Sequence, residues 1–161
     1  MSEANDDPQA LQEFRKSVFS SSFYGEKMPT AFLVALKHLT DSATATLGIK
    51  TSLTDRSAYW LDGHSLGVLS CSGATDEDAN IEGRVIRLDS LVSVDLEVKV
   101  AEYDKFTDST DSTEPPGRVL TVKSAHGEPI KFDATPRSAG ADRLKATESF
   151  IDAVLAALAR P

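Results

Sequence analysis

The sequence is short of cysteine, of long apolar runs and of positive charge. Its one cysteine, Cys71, cannot close an intramolecular disulfide, so no oxidised framework holds the chain. No stretch reaches the roughly 18 apolar residues of a membrane span, and the longest apolar-rich segment, 31–39, is broken by Lys37 and His38. The opening residues, Met1-Ser2-Glu3-Ala4-Asn5-Asp6-Asp7, are acidic and lead into no apolar segment, unlike a secretory signal. Lys and Arg total 17 against 25 Asp and Glu, a formal charge of −8. That balance argues against sequence-independent binding to a phosphate backbone, which needs clustered cations. It argues equally against docking on anionic lipid by charge alone. A soluble, reducing, cytoplasmic setting is the expectation these absences leave.

What is present is a globular composition: 161 residues, 40% hydrophobic and 26% charged. The length suits one domain over 1–161, in which residues 1–49 form an N-terminal helical segment and 50–161 a sheet closed by a C-terminal helix. Asp7-Pro8 starts the first helix, with Asp as cap and Pro at the first helical position. Leu11, Phe14 and Val18 then share one face, and the serines at 20–22 with Gly25 end it. Met28-Pro29-Thr30 starts a second helix with Thr30 as cap, running to Leu39. Beyond Leu39 two readings stand. Ala43 and Leu47 continue the helical face to a stop at Gly48, whereas the β-branched content of 40–54 favours strand.

The middle reads as strands. Residues 58–61 and 66–69 flank Asp62-Gly63-His64-Ser65, where Asp-Gly marks a tight hairpin. A further strand covers 83–88. In the next, Val92, Val94, Leu96, Val98 and Val100 alternate with Ser93, Asp95, Glu97 and Lys99, the period of a half-buried strand with one wet face. A last hairpin joins 118–124 to 129–134, with Leu120, Val122, Ile130, Phe132 and Ala134 on one side. In the C-terminal helix Leu144, Phe150, Ile151, Val154, Leu155 and Leu158 share an arc opposite Lys145, Glu148, Ser149 and Asp152. The polar stretches 71–80 and 102–117 fall between strands and read as loops. The fold class is therefore α+β: N-terminal helices, a strongly bent antiparallel sheet or partly open barrel of six or seven strands, and a closing amphipathic helix.

Short antiparallel strands closed by a terminal helix resemble the pleckstrin-homology-like superfamily, in particular its bacterial members. The residues that carry the likeness are Leu53-Thr54-Asp55-Arg56, like the opening of the family's first strands, and the run 85–94, like its turn into a long strand. The hairpin over 118–134 and the helix over 150–158 complete it, so that it spans about 50–160. The resemblance implies a module that binds lipids or proteins without catalysing. Family members that hold phosphoinositides use a basic cluster in the loop after the first strand. If that loop is 62–65 here, it has no Lys or Arg, which leaves protein contacts as the implied role.

No catalytic group emerges from the remaining candidates. His38, His64 and His126 sit in three separate segments, and one cysteine cannot supply a structural zinc site. Ser70-Cys71-Ser72-Gly73 lacks the context of an exposed nucleophile, and Cys71 reads as a small buried hydrophobe at a strand end. The stretch 104–114, with Asp104, Asp108, Asp111 and Glu114, lacks the order of a calcium loop and reads as solvated chain. Trp60 takes the strand face opposite Tyr59 and Leu61. It reads as core, and only an exposed ring would make it a partner-binding anchor.

The leading expectation is a binding or adaptor domain with a protein partner, without catalytic, metal or cofactor sites. An enzyme or small-ligand pocket between the sheet and the N-terminal helices is the alternative. It requires His64, His126 and Cys71 to converge. A third reading, an oligomeric structural protein, requires a self-complementary apolar patch on the N-terminal helices.

Overall fold

In the computed structural model, residues 7–19, 28–52, 54–99, 117–135 and 141–160 are described. Helix α1 spans Pro8–Val18. Asp7 caps it by accepting from the Gln9 amide at 3.2 Å, with Pro8 in the first turn. Helix α2 spans Thr30–Leu39, but Thr30 is its first helical residue and not its cap. The cap comes from far along the chain: Asp76 Oδ1 accepts from the Ala31 amide at 3.0 Å. Pro29 has no side chain for that task, so a loop some 45 residues away supplies it.

After Leu39 the strand reading holds. Thr40 closes α2 by donating its amide to the Leu36 carbonyl, and Thr44 donates to the Leu61 carbonyl, which starts the sheet. Strand β1 is Ala45–Lys50, so the N-terminal helical segment set at 1–49 ends short of its expected boundary. Gly48 lies within this strand and stops no helix. The Phe19 ring covers it so closely that any Cβ there would collide with the ring.

Strands β2 (Asp55–Asp62), β3 (Ser65–Ser72) and β4 (Asn80–Arg87) complete an antiparallel sheet in the order β1-β2-β3-β4. The β2–β3 turn pairs Asp62 with Ser65 around Gly63 and His64. Gly63 has φ 59°, and among the described residues no other type has a positive φ, so glycine occupies the first central position of a II′-type turn. A 3-10 turn, Leu88–Ser90, leads to a second antiparallel sheet of β5 (Leu91–Lys99), β6 (Gly117–Ser124) and β7 (Ile130–Ala134). Helix α3, Ala141–Ala159, ends the chain. Among the described residues seven strands therefore divide four and three, with no closed barrel.

Two apolar layers result. The inner one joins Leu47, Leu61, Leu66 and Ile86 of the first sheet to Leu120, Val122, Ile130 and Phe132 of the second. Phe150, Ile151, Val154 and Ala157 of α3 close it. Tyr59 stands edge-on to Phe132 at 4.9 Å, and Phe132 packs on Phe150 at 5.2 Å. The outer layer sets Leu11, Val18 and Phe19, then Phe32, Leu33 and Leu36, over Ala58, Trp60, Leu69 and Cys71. Strands β2 and β3 are thus covered on both faces, which is why residues 58–61 are apolar throughout rather than alternating. The first helix packs on the sheet as part of this layer.

Candidate functional site

The candidate site residues are dispersed. Trp60 is 4% exposed, within the outer layer, and its indole lies flat over Gly67, where no side chain competes for the space. It is a core residue of that layer, and the exposed ring on which an anchor role depended is not there. His64 lies in the β2–β3 turn and Cys71 near the far end of β3, with the strand between them. His126 is in the β6–β7 turn of the other sheet, and His38 is exposed on α2. These residues do not converge. Among the described residues, no three His, Cys, Asp or Glu side chains are grouped to hold a metal ion.

Cys71 is buried beside its cross-strand neighbour Arg56. Burial pushes the thiol above its ordinary 9.0, and the opposing pull of the Arg56 charge does not overcome it. The sulfur is held as a thiol and lacks the character of an activated nucleophile. Arg56, itself 3% exposed, donates to the Gly73 carbonyl at 3.1 Å, while its Nε has no hydrogen-bond partner. Lys50, the cross-strand partner of Arg56 in β1, has its pKa lowered by burial and by the nearby charges of Arg15 and Arg56. In this structure the first strand ends at Lys50 and the second begins at Asp55, followed by Arg56, and 62–65 is the turn after the second.

Among the clefts that the described residues line, two adjoin the first sheet or its β3–β4 loop. One, of ≈ 370 Å³, lies between the N-terminal helices and the β3–β4 loop, lined by Gln12, Arg15, Met28, Thr30, Thr75 and Asp76. Asp76 is already engaged as the cap of α2. The other, of ≈ 300 Å³, sits at the 55–57 end of the sheet and is lined by Thr51, Asp55, Ser57, Ser70, Asn80 and Glu82. Ser57 and Ser70 meet there at 3.0 Å. Neither cleft brings a histidine to a nucleophile.

The feature that departs from ordinary burial is β5. Val92, Val94, Leu96 and Val98 are 64%, 36%, 47% and 52% exposed. Cross-strand registry places Leu96 beside Leu120 and Val94 beside Val122, so these side chains continue the core-facing side of the second sheet past the end of its cover. The alternation expected to bury this face instead leaves it in water. Val100 lies outside the described residues, as does the acidic stretch with Asp104, Asp108, Asp111 and Glu114. Strand β5 is also an edge: among the described residues it is hydrogen-bonded only to β6. Its other face carries Ser93, Asp95, Glu97 and Lys99, where Asp95 and Glu97 lie opposite Thr121 and Val119.

Nothing in the sequence separates β5 from a strand whose apolar face is covered. Alternation reports which side is apolar, and the cover is a tertiary fact. No helix among the described residues is long and apolar enough to cross a membrane. The chain matches no protein-family model, no curated protein and no solved structure.

Proposed function

We propose that this chain is a non-catalytic binding module that works through protein contacts, with β5 as its contact element. The observation that carries the reading is the row of four exposed apolar side chains on a strand that, among the described residues, is an edge. Solvent contact on that scale is a liability unless something covers it, and edges of this kind are normally blunted or buried. The dispersal of His64, His126 and Cys71 supports a binding role over a hydrolytic one. The succession of antiparallel strands and a closing helix goes with the pleckstrin-homology-like resemblance, and we extend that resemblance to the role as well as to the fold. A cytoplasmic setting belongs to the same reading, since the lone Cys71 is a buried thiol.

The test compares the full chain with a Leu96→Asp/Val98→Asp variant in co-purification, each first checked for an unchanged thermal melt. Both positions are exposed, so the fold should tolerate the change. A stoichiometric partner held by the wild type, cross-linked through position 98 and lost from the variant is the expected result. Equal capture by both proteins, or by neither, overturns the reading.

A further inference from the structure

Resting on the reading of β5 as a contact element, we infer that its partner is an extended segment alternating apolar with basic residues, added to β5 as a further strand. Three observations specify this chemistry. First, β5 offers nine residues, about 30 Å of strand at 3.3 Å each, with no described strand beyond it. Its outward N–H and C=O groups form a ready template for another chain.

Second, the side chains on the two faces of β5 differ in kind. Val94, Leu96 and Val98 point to the core-facing side, so the added strand meets them with apolar residues at every second position. Asp95 and Glu97 point to the opposite side. Neither forms an ion pair or side-chain hydrogen bond among the described residues; their direct partners on β6, Thr121 and Val119, are uncharged, and Lys123 stands on the same face opposite Ser93. A strand laid beside them places its intervening residues next to two carboxylates, where Lys or Arg is favoured and Asp or Glu repelled. Lys99 follows on the same face and limits the register: the basic residues belong opposite Asp95 and Glu97, not beyond them.

Third, the same charges restrict the registers open to a second copy as the occupant. Antiparallel self-pairing centred on Asp95 or Leu96 puts carboxylate opposite carboxylate, and an in-register parallel pair does so at both positions, whereas centring on Glu97 or Val98 sets a carboxylate opposite Lys99. Each chain also brings a charge of −8. A cationic, alternating segment relieves these charges while covering the valines and Leu96.

The probe is a blocked peptide of about seven residues alternating valine and lysine, titrated into the full chain with amide exchange followed by NMR. Slowed exchange within Leu91–Lys99 is expected, with weaker binding of the valine–glutamate counterpart. In Asp95→Lys/Glu97→Lys the valine–lysine peptide should lose affinity by about tenfold or more and the preference should reverse. Equal binding of the two peptides to the wild type, or unchanged exchange along β5, overturns the proposal. A peptide N-methylated on the amides that face β5 separates the two levels of the argument. If it binds undiminished, strand addition is wrong while the apolar contact stands. If Leu96→Asp/Val98→Asp leaves binding intact, the contact element itself is wrong. A dimer protecting β5 without peptide also overturns the proposal, in favour of self-pairing.

Discussion

Strands β5 and β7 are the two edges of one three-stranded sheet, and they have opposite fates. Both alternate apolar with polar residues, and both direct their apolar residues to the same side of β6. Leu96 and Phe132 flank Leu120, while Val94 and Ile130 flank Val122. Yet Phe132 is 0% exposed and Ile130 is buried, whereas Leu96 and Val94 stand in water. Helix α3 makes the difference, because it packs chiefly on β7 and on β1. Period-two patterning thus specifies which face is apolar. The reach of the covering element decides whether that face is core or surface.

The strongest way to break this comparison is to remove the cover. Phe150, Ile151 and Val154 are at most 2% exposed, so a chain cut before Arg143 should lose several buried side chains at about 1.5–3 kcal/mol each. Against a total stability of about 5–15 kcal/mol, the cut chain should show no cooperative thermal transition and should fall out of solution. A normal melt would mean that β7 is held without α3.

Single truncations sharpen the contrast. Phe132→Ala should cost about 3–5 kcal/mol in urea unfolding. Leu96→Ala, at a half-exposed position, should cost less than about 1 kcal/mol. Equal costs would show that β5 is covered in solution.

A smaller effect tests the outer layer. Any Cβ at Gly67 would enter the Trp60 ring, so Gly67→Val should destabilise by about 1–3 kcal/mol. Because Trp60 is the sole tryptophan, its displacement toward water should red-shift the emission of the native protein.

The smallest concerns pH. Burial is the main cause that raises the Tyr59 pKa above its ordinary 10.0, against weaker lowering by its hydrogen bond with Ser57 and by the Arg84 charge. The folded state therefore holds this proton more tightly than the unfolded state. Its stabilisation is complete below pH 10 and is lost as pH rises from there through the folded value. Tyr59→Phe should flatten that alkaline decline in urea unfolding, at a cost near neutral pH of about 1 kcal/mol for the lost hydrogen bond. An unchanged alkaline slope would count against a half-buried, protonated Tyr59.

Legibility varied with the range of the interactions involved. The Asp7-Pro8 start of α1, the 62–65 turn and the apolar side of β6 and β7 were all readable, because each rests on dihedral preference or on residues within one turn or one strand pair. The boundary near 40 was open because Ala43 and Leu47 fit a helical face while the threonines fit a strand. Pairing with β2 settled it, with Leu47 buried opposite Tyr59. Thr30 resembled a cap in the local sequence, but Asp76 holds that position from the β3–β4 loop. Gly48 resembled a helix stop, yet its missing side chain makes room for Phe19.

The same division runs through the site. The chain's own order of residues determined an α+β fold, the apolar side of each strand and the placing of His64, His126 and Cys71 in separate segments, since these follow from local dihedral preference and spacing. The tertiary structure alone decided that the described strands divide four and three, and that the apolar side of β5 is left uncovered. Burial depends on where a distant element ends in space, and the residues that it fails to cover carry no local mark of the fact.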